Sequence, residues 1–144
     1  HPISIYAQSK RFPFVWKDLE KAGISMKTWE QLLPETIEVK NIYEKEGFIY
    51  KPVYGRVGER ISIKEACKDD EYEKILQDVK KHPKQYLAQK RFQSKPLKSE
   101  DGKEYHICIG SYTIEGEHAG YYARMSLYPR IDSYAEDIPV LVEK

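Results

Sequence analysis

The strongest constraint on the fold is an alternating segment in the second half of the chain. In residues 104–115, neighbouring side chains fall on opposite sides with a period of two, which is typical of a β-strand. Residues 116–120 begin and end with glycine and predict a turn, and residues 121–127 return as a second β-prone segment. The pattern therefore predicts a β-hairpin with a short loop.

Composition excludes several classes of protein. The chain has 144 residues and a net charge of +1, which suits one domain with a modest core and argues against a broadly basic nucleic-acid surface. Cys67 and Cys108 lie far apart, so we expect neither a disulfide scaffold nor a cysteine zinc site. No apolar segment is long enough for a bilayer, and no signal peptide opens the chain. We expect a cytoplasmic protein without nucleic-acid or membrane partners.

Apolar spacing and breakers predict the remaining elements. Short helices are expected over residues 14–22 and 26–33, with Ser25 as the second N-cap and with Trp16 and Trp29 in the core. Residues 1–13 are expected to form a loop or irregular edge. Residues 35–46 are expected to form a connection with a helical turn around Ile42 and Tyr43. Residues 138–142 predict an edge strand or an extended arm. The main helix is predicted near residues 64–81, and strands near residues 48–54, 60–63, 86–92, 104–115 and 121–128. Together they predict an α+β fold with one antiparallel sheet and packed helices.

A basic loop with two glycines follows the first predicted strand. The strand ends at Lys51, and Gly55 and Gly58 allow the backbone to turn sharply and approach a ligand. Arg56 and Arg60 add cations, and successive backbone N–H groups in such a loop form an anion-binding nest. The segment has neither the P-loop nor the dinucleotide-binding pattern. It predicts either a phosphate-binding loop or a hairpin turn with surface cations.

Two further positions are candidates for binding or chemistry. Gln89, with Lys90 and Arg91, could lie at a strand edge whose backbone groups bind a flat heterocycle, or simply within a sheet strand. Arg124 lies mid-strand in an apolar segment, and a buried charge there needs a partner. That partner is either a structural carboxylate or a bound phosphate or carboxylate. The histidines lack the spacing of metal ligands, so no metal site is predicted.

These segments, in this order, resemble the C-terminal part of the glutathionylspermidine synthase family, which has an ATP-grasp-type ligase fold. The similarity covers the chain from about residue 35 onward. It is carried by residues 47–63, 86–89, 105–124 and 137–144. The predicted helices make residues 1–34 an N-terminal helical segment. The resemblance implies that residues 35–144 are an ATP-grasp-like nucleotide-binding portion, an incomplete ATP-grasp domain.

The resemblance also implies an activity. ATP phosphorylates a carboxylate, and an amine attacks the acyl phosphate to form an amide, with release of ADP and phosphate. In that reaction Lys51 would contact the ATP phosphates and Arg124 would stabilise the transferring phosphoryl group. The implied nucleotide contacts also include the loop residues Gly55, Arg56, Gly58 and Arg60 over the phosphates, and Gln89, Lys90 and Arg91 around the adenine.

The chain departs from the family in three places. Glu59 and Arg60 are charged where the family has small or polar residues, and His118 and Ala119 precede Gly120 where the family has an aromatic–glycine pair. The Mg²⁺ ligands and substrate-binding parts of the family lie upstream, with no counterpart in residues 1–34. We therefore expect a piece of an ATP- and Mg²⁺-dependent carboxylate–amine ligase that is inactive alone and acts with the remainder of the ligase chain on a small acid and amine. The alternative is a non-catalytic module that binds an anion or a protein.

Overall fold

The computed structural model describes residues 4–39 and 46–143. Within these residues the fold is α+β, with four α-helices and two antiparallel sheets. The predicted class is therefore confirmed, but the prediction of a single sheet is wrong. The chain forms two compact units, His1–Phe92 (the first unit) and Gln93–Lys144 (the second unit). The functional division into residues 1–34 and 35–144 stays a prediction.

Helices are confined to the first unit. They are α1 (Ser4–Gln8), α2 (Trp16–Lys21), α3 (Lys27–Leu32) and α4 (Asp69–Lys81), with 3-10 turns at Phe12–Val15, Lys64–Ala66 and Pro83–Gln85. None of the described helices is both long and apolar enough to span a membrane. The strands are β1 (Thr36–Glu38), β2 (Phe48–Pro52), β3 (Tyr86–Lys90), β4 (Leu97–Lys98), β5 (Glu104–Ile114), β6 (Glu117–Ser126) and β7 (Glu136–Ile138).

The first sheet has the order β1–β3–β2, so β3 is its central strand. Side chains alternate along β3, which directs Tyr86 and Ala88 to one face and Leu87 and Gln89 to the other. The first of these faces packs against the apolar side of α4. Buried residues of this core are Val39, Tyr50, Ile75, Leu76, Val79, Tyr86 and Ala88. The packing fixes the register, and the opposite face is left for a site.

The predicted strand at residues 60–63 does not form. Ser62 is buried, and its Oγ accepts a hydrogen bond from the Tyr50 N–H (2.7 Å) in place of a backbone carbonyl. The Ile63 N–H turns back to the Ile61 carbonyl (2.9 Å). The segment therefore lies beside β2 without forming a regular ladder.

Several boundaries near the N-terminus also differ from the prediction. Helix α1 lies in the segment that was predicted to be irregular, and β1 lies in the predicted connection. Helix α3 follows Met26 and has no side-chain cap, so the role predicted for Ser25 is wrong. Trp29 is 47% exposed and is not a core residue. The helical turn predicted around residues 42–43 falls outside the described residues.

The second unit confirms the predicted hairpin and shortens its turn. Strands β5 and β6 are joined by Glu115 and Gly116 alone, both with positive φ (52° and 88°), as a type I′ turn requires. A register shift after Tyr112 lets β6 begin at Glu117, inside the predicted turn. The sheet order is β4–β5–β6–β7, and β7 lies just before the predicted edge strand and shares only Ile138 with it.

Tyr86 provides a test of the first core. Its hydroxyl donates to Asp78 on α4, and burial, followed by this bond, raises the pKa of Tyr86 to about 12. The folded protein therefore keeps the Tyr86 proton at a pH near 10, where the unfolded chain begins to lose it. The stability that the protonated Tyr86 contributes is lost as the pH rises from 10 through 12. We expect Tyr86→Phe to lower the unfolding free energy at pH 7 by about 1 kcal/mol. In urea titrations, Tyr86→Phe should also remove the part of the fall in unfolding free energy above pH 10 that comes from Tyr86.

Tyr6→Phe is the matched control, because Tyr6 is 81% exposed. If the unfolding free energy falls equally steeply with pH above 10 in Tyr86→Phe and in the unmodified protein, the raised pKa of Tyr86 is contradicted.

Candidate functional site

The first sheet carries a lysine whose ammonium group, within the described residues, donates to a neutral side-chain amide. Lys51 in β2 pairs with Leu87 of β3 and lies on the same face as Gln89. Its Nζ donates to Gln89 Oε1 (2.7 Å), and Gln89 Nε2 donates to Thr36 Oγ1 (3.0 Å). The Thr36 hydroxyl donates in turn to the Pro34 carbonyl (3.0 Å). This series of hydrogen bonds contains no negative charge.

The N-terminal segment brings a second ammonium group to the same place. The Lys10 backbone N–H donates to the Val53 carbonyl (3.1 Å), and Lys10 Nζ donates to the Gly55 carbonyl (2.5 Å). Lys10 and Lys51 both line a groove of about 340 Å³, which we call the Lys51 groove. Its lining consists of Lys10, Phe12, Pro13, Leu33, Pro34, Lys51, Leu87, Gln89 and Phe92.

The groove is electropositive and mainly apolar. Burial lowers the pKa of Lys51, and repulsion from Lys10 lowers it further. Burial also lowers the pKa of Lys10. No carboxylate lines the groove, and across residues 4–39 and 46–143 neither lysine forms an ion pair. A desolvated ammonium without a countercharge is costly, and a bound anion would offset that cost.

The glycine-containing loop is a strained turn next to this groove. A Cβ on Gly55 would lie 2.9 Å from Pro52 Cγ, so packing against the proline requires glycine there. Gly58 has φ 69°, and its neighbours Val57 (44°) and Arg60 (53°) are also left-handed. For residues other than glycine this costs on the order of 1–2 kcal/mol each. Gly55 therefore has a structural role, and its carbonyl anchors Lys10.

The predicted arginine contacts are engaged within the protein. Arg60 forms an ion pair with Asp78. Arg91 Nη1 donates to both carboxylate oxygens of Glu65 (2.7 and 2.9 Å), and this bond is the main cause that holds the pKa of Glu65 below its usual range. Arg56 is exposed and forms no ion pair with any described residue. Of the basic residues predicted in this region, the structure brings only Lys51 to the groove.

The predicted strand edge at Gln89 is instead the centre of the sheet. The backbone N–H of Lys90 donates to the Glu35 carbonyl (2.7 Å), and that of Arg91 donates to the Gly47 carbonyl (2.7 Å). These donors are therefore not open to a heterocycle. Gln89 contributes to the groove through its side chain, whereas Lys90 is exposed.

Arg124 lies in the second unit and has a structural partner. Its Nε is 3.1 Å from Asp137 Oδ1 on β7, and Nη2 donates to the Ala135 carbonyl (2.7 Å). The Tyr122 hydroxyl donates to the same carboxylate oxygen (2.8 Å). Of the two kinds of partner considered for Arg124, the structure contains the carboxylate.

Sequence reasoning missed Lys10 and Thr36. Lys10 lies in a segment without periodicity, and Thr36 lies in a three-residue strand that pairs with residues about 50 positions away. Neither has a local signal in the sequence, because long-range pairing brings both to the groove.

The part of the chain that the structure describes contains no cluster of three metal-ligating side chains. Comparison with known proteins yields no match to a family model, a curated protein or a solved structure. The family resemblance therefore stays a prediction.

Lys51 makes stability depend on pH. Because its pKa is lowered in the folded state from 10.5, the unfolded chain binds more protons just below that pH, and stability rises with pH there. Lys51→Met lacks this contribution. We expect the unfolding free energy of the unmodified protein, relative to that of the variant, to increase between pH 7 and pH 10 in urea titrations.

Lys17→Met controls for the loss of one positive charge, because Lys17 is exposed on α2. Parallel pH profiles for Lys51→Met and the unmodified protein would contradict a desolvated Lys51.

Proposed function

We propose that the chain is the nucleotide-binding part of an ATP-dependent carboxylate–amine ligase of the glutathionylspermidine-synthase type, with an ATP-grasp-like fold. The observation that carries the proposal is the Lys51 ammonium group, which is held in a groove with a second ammonium and, among the described residues, without a carboxylate. A phosphate group supplies the countercharge that this arrangement lacks. Lys10 and Lys51, which both line the groove, bind the phosphates.

The size and lining of the groove suit part of a nucleotide. A volume of about 340 Å³ is near the lower end of small-molecule sites, which span about 300–1,000 Å³. In the proposal the groove holds the phosphates, while Gln89, Lys90 and Arg91 border the adenine. Gly55, Arg56, Gly58 and Arg60 form the covering loop. Arg60 and Arg91 must then exchange Asp78 and Glu65 for the nucleotide.

The reaction needs positioning and countercharge more than covalent chemistry by the protein. A carboxylate oxygen of the substrate attacks the γ-phosphorus, and ADP leaves. An amine then attacks the acyl carbon, and phosphate leaves as the amide forms. Lys51 neutralises charge on the phosphates. The role that the family resemblance implies for Arg124, stabilisation of the transferring phosphoryl group, requires its release from Asp137. The Mg²⁺ ligands belong to another part of the ligase.

A second candidate is a non-catalytic module that binds a small anion. It is favoured by the ion pairs of Arg60, Arg91 and Arg124, because carboxylates within the protein already neutralise these three cations. Such a module binds phosphates without transferring them.

Calorimetric titration with ATP and with pyrophosphate tests the binding step. We expect both ligands to bind, and Lys51→Met to weaken both roughly tenfold to a hundredfold, because a charge-assisted hydrogen bond contributes about 1.5–3 kcal/mol. Lys17→Met should bind like the unmodified protein. Equal affinity for Lys51→Met would overturn the proposed phosphate site.

Turnover separates the two candidates. In the whole ligase that the proposal assumes, Lys51→Ala and Arg124→Ala should each reduce ADP formation by at least about 100-fold, since each removes countercharge from the transferring phosphoryl group. Circular dichroism checks that each variant is folded. ATP binding without any ADP formation by the unmodified whole protein would favour the non-catalytic module, and near-normal turnover of both variants would exclude the assigned roles.

A further inference from the structure

We propose that Lys51 is also a site of covalent modification, at which its amine condenses with a small aromatic aldehyde that carries an anionic group. This activity goes beyond the proposed ligase function and does not rest on it. It uses the same groove but requires an amine nucleophile in place of an ammonium ligand.

The lining of the groove selects such a compound. Phe12, Leu33 and Phe92 form apolar walls suited to an aromatic body. Lys10 supplies the counterion for the anionic group, because its ammonium has no carboxylate partner among the described residues of the groove. Lys51 then supplies the bond.

Imine formation requires the unprotonated amine. Two features favour the unprotonated form of Lys51. Burial lowers the pKa of Lys51, and the neighbouring charge of Lys10 lowers this pKa further. Desolvation and an adjacent cation are the two means by which lysine amines are activated for carbonyl chemistry in general. A carboxylate beside Lys51 would act in the opposite direction, and no described residue that lines the groove carries one.

The hydrogen bond to Gln89 also suits this chemistry. Gln89 Oε1 can only accept, so Nζ directs an N–H bond toward it at 2.7 Å. In the unprotonated amine, the nitrogen lone pair is therefore not directed at Gln89. The amide itself is fixed by its bond to Thr36 (3.0 Å).

The condensation is balanced and needs no oxidant or reductant. The Nζ lone pair attacks the carbonyl carbon, a C–N bond forms, and the carbonyl oxygen takes up a proton. Loss of water then gives the C=N bond, and both amine hydrogens of Lys51 are accounted for in that water. The proton for the carbonyl oxygen comes from solvent, so Lys10 keeps its charge for the anionic group.

Pyridoxal 5′-phosphate, an aromatic aldehyde with a phosphate, is the probe. The full chain is incubated with it at neutral pH and reduced with cyanoborohydride, and modified lysines are quantified by peptide mass spectrometry. We expect modification of Lys51 to exceed the mean of the exposed lysines at least about tenfold, through the activated amine and the held phosphate together. Lys10→Met should slow this modification severalfold, and unphosphorylated pyridoxal should react more slowly than the phosphate.

Two controls make the result specific. Lys51→Met should lose the main modified peptide, whereas Lys17→Met should keep it at an unchanged rate. Similar rates at Lys51 and the exposed lysines would overturn the proposal, as would preferential modification at any other lysine.

Added ATP distinguishes this inference from the proposed function. Protection of Lys51 by ATP supports both. Selective modification that ATP does not reduce supports the covalent site and counts against nucleotide binding in the groove. Calorimetric ATP binding with unselective modification overturns the covalent site alone.

Discussion

The first unit depends on the register of β3, because this strand is paired along both edges and covered on both faces. Tyr86 and Ala88 pack toward α4, while Leu87 and Gln89 face the Lys51 groove. A shift of one residue would exchange the two faces and move the Gln89 amide into the apolar core. The free energy that stabilises the core therefore also holds Gln89 where it meets Lys51. The pairing of β3 with its neighbours thus determines both the apolar core and the position of Gln89 in the Lys51 groove.

Whether a lysine or arginine can bind a ligand depends on its partner in the folded protein more than on its position in the sequence. Arg60, Arg91 and Arg124 each have a carboxylate within the protein. Lys10 and Lys51 instead donate to an uncharged carbonyl and an uncharged amide. The glycine loop suggested that Lys51, Arg56 and Arg60 bind one anion together. In the folded chain Arg60 pairs with Asp78, Arg56 is exposed, and Lys51 lines the groove with Lys10. An anionic ligand therefore stabilises the protein most at Lys10 and Lys51, because these two desolvated charges have no carboxylate partner among the described residues.

Elements with a strong local pattern could be predicted from the sequence. Helix α4, the β5–β6 hairpin and strands β2 and β3 follow from periodicity and breakers. Other features depend on distant partners: β1 is three residues long and exists through its pairing with β3, and Ser62 replaces a ladder bond with its side chain. For the candidate site, Lys51 and Gln89 were found as separate residues, but their contact and the presence of Lys10 required the fold.

The two roles proposed for Lys51 are coupled through one proton. An anion in the groove favours the ammonium form and so opposes the lowering of its pKa by burial and by Lys10. The free amine that attacks a carbonyl is therefore most abundant in the empty groove and is suppressed when phosphate binds beside it. A compound with both groups escapes this competition only if its anion lies at Lys10 and its carbonyl at Lys51. The separation of the two lysines onto different elements, the N-terminal segment and β2, permits that division of roles within a single groove.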